Sequence, residues 1–158
     1  MRITICTFGS RGDTQPYVAL DMGLQQAGHH ATLVASRDLA EWIRSYGVNV
    51  YPLRFSLQEF MQKPEQRDAL KGRNVVRILR GFRSGFEKYL AGVMEDCWRA
   101  AQEAEFLVLS SIASVGVDIA SQREIPMAVV SLQPLFPPTR AFPVFMLPFR
   151  FSLGGGYN

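Results

Sequence analysis

The stretch from Cys6 to Pro16 places the strongest constraint on the fold of this chain. It reads Cys-Thr-Phe-Gly-Ser-Arg-Gly-Asp-Thr-Gln-Pro. The apolar run from Ile3 to Cys6 before it predicts a buried strand, and the apolar-periodic segment after it predicts a helix. In an open parallel sheet, such strand-to-helix turns lie at the carboxyl ends of the strands, where ligands bind. The stretch therefore predicts both a class of fold and the place of a site within it.

The turn itself offers several kinds of contact to a ligand. It combines two flexible positions, a hydroxyl, a fixed positive charge and a carboxylate, in the order Gly9, Ser10, Arg11, Gly12 and Asp13. A plainer interpretation stays open, in which the glycines only make a tight turn. Asp13 or Thr14 then caps the helix, and Pro16 occupies its first turn, where a missing N–H costs nothing.

The glycine spacing argues against a dinucleotide site. Gly-x-x-Gly is shorter than the Gly-x-Gly-x-x-Gly fingerprint of such sites. The second predicted strand also ends in Ala35-Ser36-Arg37, without an acidic residue to bind a ribose.

The rest of the first half alternates strands and helices. A helix from about Gln15 to Ala27, ended by Gly28, presents four apolar residues that can face the sheet, namely Val18, Leu20, Leu24 and Ala27. The predicted elements that follow are a strand from His30 to Ala35, a helix from Arg37 to Tyr46 and a strand from Val48 to Leu53. This order predicts an α/β fold with a Rossmann-like doubly wound parallel sheet.

The second half continues the alternation after an irregular segment. A short helix is predicted from Leu57 to Gln62, and a long helix begins near Arg73 with an apolar stripe at Val75, Leu79, Phe82, Phe86, Leu90 and Val93. The predicted elements after that helix are a strand from Phe106 to Leu109, a turn at Ser110 and Ser111, a helix from about Ala113 to Arg123, and a buried strand from Met127 to Leu132.

The long helix also carries a basic face. It extends over the range from Arg73 to Lys88 and includes Arg77, Arg80 and Arg83. Such a helix can lie on an anionic membrane surface. A solvated face is the favoured interpretation, because the apolar stripe already has a core to cover.

Composition predicts one globular domain in a reducing, cytoplasmic compartment. The chain has 158 residues, 47% hydrophobic and 20% charged, and a formal charge of +3 that does not argue for nucleic acid. Its two cysteines make no disulfide framework or metal cluster. His29 and His30 fall in a turn at the far end of the sheet from the glycine turn, so we expect a surface role for them. Neither a secretion signal nor a membrane-spanning run is visible.

The tail after Gln133 has a different character. Prolines occur there in a run that also holds several phenylalanines, which predicts an apolar, proline-stiffened loop. Such a surface suits an apolar ligand, a membrane or another domain. The run from Gly154 to Gly156 is typical of a boundary inside a larger protein.

Two segments resemble a known family. Thr7 to Leu20 with Leu24 to His29 is similar to the amino-terminal domain of the GT-B glycosyltransferases, which include sterol glucosyltransferases and the enzymes that glycosylate glycopeptide antibiotics. Pro134 to Pro143 resembles their acceptor-side loop. The resemblance implies a single acceptor-binding domain over residues 1–158, without the carboxyl-terminal domain that binds the nucleotide sugar. It therefore also implies that this chain is inactive by itself.

The resemblance implies the reaction and the residues that perform it. The reaction is an inverting transfer of a hexose from a nucleotide diphosphate-sugar such as UDP-glucose to a hydroxyl of a lipophilic acceptor such as a sterol. Asp13 is the implied catalytic base, and the turn before it lies near the leaving diphosphate through Gly9, Ser10, Arg11 and Gly12. The implied acceptor residues are Ser110, Ser111, Phe136, Arg140, Phe142 and Phe145. No catalytic metal and no cofactor besides the donor is implied.

Two other functions stay open as alternatives. One is a non-catalytic binding or membrane-docking subunit that pairs with a separate catalytic chain. The other is a phosphate- or dinucleotide-binding Rossmann protein with a different chemistry. Neither accounts for the glycine turn and the proline-rich loop together.

Overall fold

A computed structural model of the chain describes residues 1–64, 67, 75–111, 113 and 115–133, with the backbone alone at 75–86 and 115. The strands are β1 (Arg2–Cys6), β2 (His30–Ser36), β3 (Val50–Leu53), β4 (Phe106–Ser110) and β5 (Met127–Val130). The helices are α1 (Arg11–Gln26), α2 (Ala40–Arg44) after a single 3-10 turn (Arg37–Leu39), α3 (Leu57–Gln62), α4 (Val75–Ala100) and α5 (Val115–Arg123).

The five strands form one parallel sheet in the order β3-β2-β1-β4-β5. β1 lies at the centre, and its last residue, Cys6, is in register with Val34 on one side and Leu109 on the other. The chain builds the sheet outward from β1 in one direction and then returns to build it in the other. The turns after β1 and β4 therefore flank the point where the strand order reverses, the usual ligand position in such sheets.

Side-chain alternation along β1 divides the core into two layers. Ile3 and Ile5 point to the side of α1 and α2, where Tyr17, Val18 and Ile43 cover them. The other layer lies under α3, α4 and α5, and its buried members include Cys6, Phe60, Val93, Cys97, Leu109 and Ile119. The predicted Rossmann-like α/β sheet is confirmed, because both faces of a parallel sheet are covered by helices.

Helix α1 begins four residues earlier than the sequence predicts, at Arg11. Pro16 consequently lies in the second turn of the helix and not in the first. Of the four residues expected to face the sheet, Val18 is buried and Leu20 and Leu24 are partly buried, but Ala27 is exposed. The inner face also includes three further buried residues at helical spacings of three and four, namely Thr14, Tyr17 and Asp21.

The predicted stripe on α4 is wrong at Leu90, which is 37% exposed, although Val93 is buried. Asp96 is buried on this helix and binds Arg54, through its Oδ2 to the backbone N–H and through its Oδ1 to Nε. That pairing and the burial of Cys97 place the inner face of the helix to one side of Leu90. The side chains of Val75, Leu79, Phe82 and Phe86 lie outside the described residues.

The last strand is shorter and more exposed than predicted. We expected a buried strand from Met127 to Leu132, whereas β5 ends at Val130 and Val129 is 47% exposed. Its place at the edge of the sheet is the physical reason, because an edge strand is flanked by a partner on one side only. Pro52 marks β3 at the opposite edge, where a residue without an N–H is tolerated. His30 begins β2 at the amino-terminal edge, which confirms the expected distance from the glycine turn.

Candidate functional site

Asp13 is held in place at the start of α1 by Ser10. Ser10 is the N-cap residue, and its carbonyl oxygen accepts hydrogen bonds from the N–H groups of Asp13 (3.1 Å) and Thr14 (3.0 Å). Asp13 Oδ2 in turn accepts from the Ser10 N–H and from the Ser10 hydroxyl, both at 2.8 Å. The carboxylate therefore caps the N–H group of Ser10, and its negative charge is favoured at the positive end of the helix. Neither Asp13 nor Thr14 is the N-cap residue itself.

Gly9 is required for this arrangement and Gly12 is not. Gly9 has φ +137°, a conformation that side chains other than glycine rarely adopt. A Cβ atom at Gly9 would also lie 2.6 Å from Asp13 Oδ2. At Gly12, in contrast, a Cβ atom would meet only the Ser10 hydroxyl oxygen at 3.7 Å, an ordinary contact. The first glycine lets the backbone pass directly beside the carboxylate.

Arg11 lies on the side of the turn that faces α2. Its guanidinium carbon is 4.6 Å from the centroid of the Trp42 ring, and Trp42 packs edge-on against Tyr46 with 5.6 Å between ring centroids. A cation over an aromatic face is attracted by the ring quadrupole. This contact gives an exposed arginine a preferred direction.

The turn after β4 reaches the same edge of the sheet. Ser110 is the last residue of β4 and is 6% exposed, and Ser111 is half-buried. The hydroxyl oxygens of Ser110 and of Thr7, the residue after β1, are buried, and neither has a hydrogen-bond partner among the described residues. The structure thus brings Ser110 beside β1, as predicted, because β1 and β4 are neighbours. The other predicted acceptor residues lie outside the described ranges: Phe136, Arg140, Phe142 and Phe145.

Tyr17 links the helix that bears Asp13 to the end of β5. Its ring is 2% exposed, and its hydroxyl donates to the carbonyl oxygen of Val130 at 2.5 Å. Burial raises the pKa of Tyr17, and the negative charge of Asp13 raises it further, so the hydroxyl keeps its proton at neutral pH. This link was not predictable from the sequence, because Tyr17 and Val130 are far apart along the chain.

A cavity of about 290 Å³ opens beside Gly9 and Ser10. Its lining is partly polar and partly apolar, with the residues Gly9, Ser10, Ser36, Asp38, Leu39, Leu57, Gln58 and Met61. They come from the turns after β1, β2 and β3, which meet at the carboxyl edge of the sheet. The volume is close to the lower limit of about 300 Å³ for small-molecule pockets.

Asp38 is the residue of this cavity that sequence reasoning missed. The predicted strand ends in Ala35-Ser36-Arg37 without an acidic residue, but Asp38 is the next position. Its Oδ2 accepts from the Gln58 N–H at 2.9 Å and from the Ser36 hydroxyl at 3.1 Å. Partial burial alone would raise the pKa of Asp38, but hydrogen bonds from Gln58, Ser56 and Ser36 and the charge of Arg37 together lower it. Asp38 is therefore ionised at neutral pH.

Two further expectations concern metals and membranes. Across the described ranges, no group of three or more His, Cys, Asp or Glu residues is arranged to hold a metal ion. No helix in that part of the chain is long and apolar enough to cross a membrane. The side chains of Arg77, Arg80 and Arg83 are outside the description, and contact of α4 with a membrane surface stays a prediction.

Residues 3–109 match the family model described as "Glycosyltransferase family 28 N-terminal domain". The chain is 35% identical over 159 residues to a sterol 3-beta-glucosyltransferase of Sclerotinia sclerotiorum, a match covering 100% of the chain and 11% of the relative. A sterol 3-beta-glucosyltransferase of Neurospora crassa is also 35% identical over 159 residues, a match covering 100% of the chain and 10% of the relative. The chain thus spans about a tenth of the length of these relatives.

Solved structures show the same fold at lower identity. The glycosyltransferase SsfS6 of Streptomyces sp. SF2575 superposes with a TM-score of 0.64 at 20% identity, over 83% of this chain and 39% of that one. The glycosyltransferase SnogD from Streptomyces nogalater gives a TM-score of 0.63 at 17% identity, over 85% and 36% of the two chains. These likenesses establish the fold.

Proposed function

Because the chain belongs to the glycosyltransferase family 28 N-terminal domains, we propose that it is the acceptor-binding half of a glycosyltransferase. The transferred group is a hexose from a nucleotide diphosphate-sugar, of which UDP-glucose is the first to test. The acceptor is a hydroxyl of a lipophilic alcohol such as a sterol. The observation that carries the proposal is the carboxylate of Asp13, held by Ser10 beside a partly apolar cavity.

The acceptor class follows from the cavity and from the relatives. Leu39, Leu57 and Met61 give the cavity an apolar wall that suits a hydrocarbon body. The relatives are named for glucosyl transfer to sterols, which are alcohols with a large apolar body. A lipophilic alcohol whose body lies in the cavity presents its hydroxyl toward the turn that bears Asp13.

Asp13 acts as the general base in this proposal. As the acceptor oxygen forms its bond to the anomeric carbon, the bond from that carbon to the diphosphate breaks, and the hydroxyl proton passes to the carboxylate. Ser10 engages Oδ2 twice, which leaves Oδ1 to accept the proton. The hydrogen bonds from Ser10 also fix the direction of the carboxylate before the acceptor arrives.

The leaving diphosphate is placed near the start of α1. The amino terminus of a helix of 16 residues favours negative charge, and Gly9, Ser10, Arg11 and Gly12 surround it. Most donor contacts are assigned to a second domain outside the matched segment, since the chain covers about a tenth of its relatives. Residues 1–158 then form one acceptor-binding domain, with Ser110, Ser111, Phe136, Arg140, Phe142 and Phe145 as further acceptor contacts.

A binding experiment tests the acceptor site on this chain. The isotopically labelled chain is titrated with a sterol in cyclodextrin and, separately, with UDP-glucose, and amide chemical shifts are followed. We expect the sterol to shift the amides of Ser10, Asp13, Asp38 and Gln58, with little response to the nucleotide sugar. Tight binding of UDP-glucose, or no response near Asp13 to either compound, would contradict the proposal.

A kinetic experiment tests the role of Asp13. The chain is joined to the remainder of a sterol 3-beta-glucosyltransferase, and Asp13→Asn is compared with Asp118→Asn, an exposed carboxylate on α5. Asparagine keeps an acceptor for the Ser10 N–H but cannot take a proton. We expect Asp13→Asn to lower kcat by about 10²–10⁴-fold with little change in KM, and Asp118→Asn to change neither. Equal kcat values for the two variants would remove Asp13 from the chemistry.

A further inference from the structure

We propose that Asp38 makes the cavity beside Gly9 and Ser10 selective for neutral acceptors. A lipophilic acceptor carries one hydroxyl that receives the sugar and a polar group at the other end of its apolar body. We expect the cavity to bind the acceptor in which this second group is a hydroxyl and to reject the one in which it is a carboxylate. This inference rests on the proposed function of the cavity as the acceptor site. Asp38 is then a residue that determines acceptor specificity, although the sequence alone does not single it out.

The hydrogen bonds of Asp38 fix its carboxylate in the wall of the cavity. Oδ2 accepts from the Gln58 N–H on α3 and from the Ser36 hydroxyl at the end of β2, and both of these residues also line the cavity. Ser36 is 3% exposed and the Leu57 N–H donates to its hydroxyl oxygen at 3.1 Å. The carboxylate is therefore anchored by two elements, and it cannot rotate away from a ligand without breaking both hydrogen bonds.

The charges around the cavity are unbalanced toward the negative. Asp38 is the ionisable residue in the lining, and the Asp13 carboxylate contacts Gly9 and Ser10, which also line the cavity. Arg37 and Arg11 are each held by another group, although the charge of Arg37 also acts on Asp38. Arg37 forms an ion pair with Glu59 at 2.5 Å, and Arg11 stacks over Trp42.

The two kinds of ligand respond oppositely to this charge. A hydroxyl donates a hydrogen bond to an anchored carboxylate, which is stronger than a bond between neutral groups. A ligand carboxylate meets like charge at close range, and because Asp38 is exposed, water and salt weaken this repulsion without removing it. The lowered pKa of Asp38 keeps its charge present through the neutral pH range. The cavity should therefore distinguish an alcohol from an acid of the same shape.

A matched pair of steroids tests the inference. Both carry a 3-beta-hydroxyl on the same ring system, and their side chains end in a primary alcohol in one and in a carboxylic acid in the other. Dissociation constants are measured by amide shifts of the labelled chain at pH 7.5 in low salt. We expect the diol to bind at least about tenfold more tightly than the acid, which corresponds to about 1.4 kcal/mol.

Asp38→Asn separates charge from shape. Asparagine keeps an oxygen that accepts from the Gln58 N–H but removes the negative charge. The ratio of the two dissociation constants, acid to diol, should therefore fall to within about threefold, mainly because the acid binds better. Asp118→Asn is the matched control and should leave the ratio unchanged. A second test needs no variant. In 0.5 M NaCl the ratio of the dissociation constants should fall for the unaltered chain, because salt screens the repulsion between the two carboxylates.

The outcomes separate the two proposals. Equal binding of the two steroids at the cavity, or a ratio that Asp38→Asn and salt leave unchanged, overturns the selectivity while leaving the acceptor site in place. If neither steroid shifts the amides of Ser10, Asp13 or Asp38, the acceptor site itself is wrong, and the selectivity falls with it. A tenfold ratio in the unaltered chain that falls in Asp38→Asn but not in Asp118→Asn supports both proposals.

Discussion

Asp13 and Asp21 lie about two turns apart on α1, and their surroundings are opposite. Asp13 is half-buried at the edge of the sheet, and its Oδ2 accepts two hydrogen bonds from Ser10. Asp21 is fully buried over the sheet. One of its oxygens accepts from the Gln25 side chain at 2.5 Å, and the other has no partner among the described residues.

The difference shows how position along one helix assigns a carboxylate its role. The first turn of a helix has free N–H groups and a positive dipole end that favour a negative charge. The middle of the helix has neither, because its N–H groups are already bonded within the helix. Burial therefore raises the pKa of Asp21, whereas Asp13 is available to a ligand at the rim.

The largest effect is expected from Gly9→Ala, which breaks the arrangement at the rim. The positive φ and the Cβ position 2.6 Å from Asp13 Oδ2 force the turn to rearrange. We expect a loss of about 3 kcal/mol in the free energy of unfolding, from backbone strain and loss of the cap. Urea unfolding measures it. Gly12→Ala is the matched control and should cost nothing, so equal losses in the two variants would refute this description of the turn.

The second effect concerns Asp21 and its dependence on pH. Since the folded-state pKa lies above the ordinary value of 3.8, the folded protein binds more protons than the unfolded chain between these two values. The contribution of Asp21 to stability is therefore most favourable below the ordinary value of 3.8 and falls as the pH rises through the raised pKa of the folded state. Asp21→Asn removes the buried charge, and we expect it to be about 1–2 kcal/mol more stable than the wild type at pH 8.

The advantage of Asp21→Asn should disappear at pH 3, below the ordinary value of 3.8, where the Asp21 carboxyl is also neutral. Urea unfolding of the variant and the wild type at both pH values gives this difference, and titrations common to the two proteins cancel. A difference that is the same at both pH values would mean that Asp21 is not forced toward its neutral form.

A smaller effect is expected from Tyr17, which lies between the two aspartates. Tyr17→Phe keeps the buried ring and removes the hydrogen bond to the Val130 carbonyl, so we expect a loss of about 0.5–1.5 kcal/mol. Thermal unfolding measures this loss. Tyr46→Phe alters an exposed ring in the turn after α2 and serves as the control, with no loss expected. The amide chemical shifts of β5 should change in Tyr17→Phe but not in Tyr46→Phe.

The smallest effect on stability is expected at Arg11. Arg11→Gln removes an exposed cation from the Trp42 face but also removes positive charge from the amino terminus of α1, and the two contributions nearly cancel. We expect a change below about 0.5 kcal/mol together with a changed Trp42 emission, measured in a Trp98→Phe background. Unchanged emission would show that the guanidinium does not cover the ring in solution.

Local pattern was sufficient for most of the fold. The alternation of strands and helices, the parallel sheet and the short helix from Leu57 to Gln62 all follow from hydrophobic periodicity and from residues that end helices. The glycine turn was predictable because glycines permit a sharp turn and the polar residues between them can contact a ligand. Its place at the carboxyl edge of β1 follows from the same alternation.

The tertiary structure alone decided where the charges lie relative to the sheet. Asp38 enters the cavity because the turns after β2 and β3 are brought together, and Asp21 is buried because it shares the face of α1 that Tyr17 and Val18 turn to the sheet. Leu90 and Val129 are exposed for the same kind of reason, since burial depends on which neighbour covers a residue. Periodicity along the sequence gives the pattern of an element, and contacts between distant segments determine its surroundings and hence the charge and chemistry of its side chains.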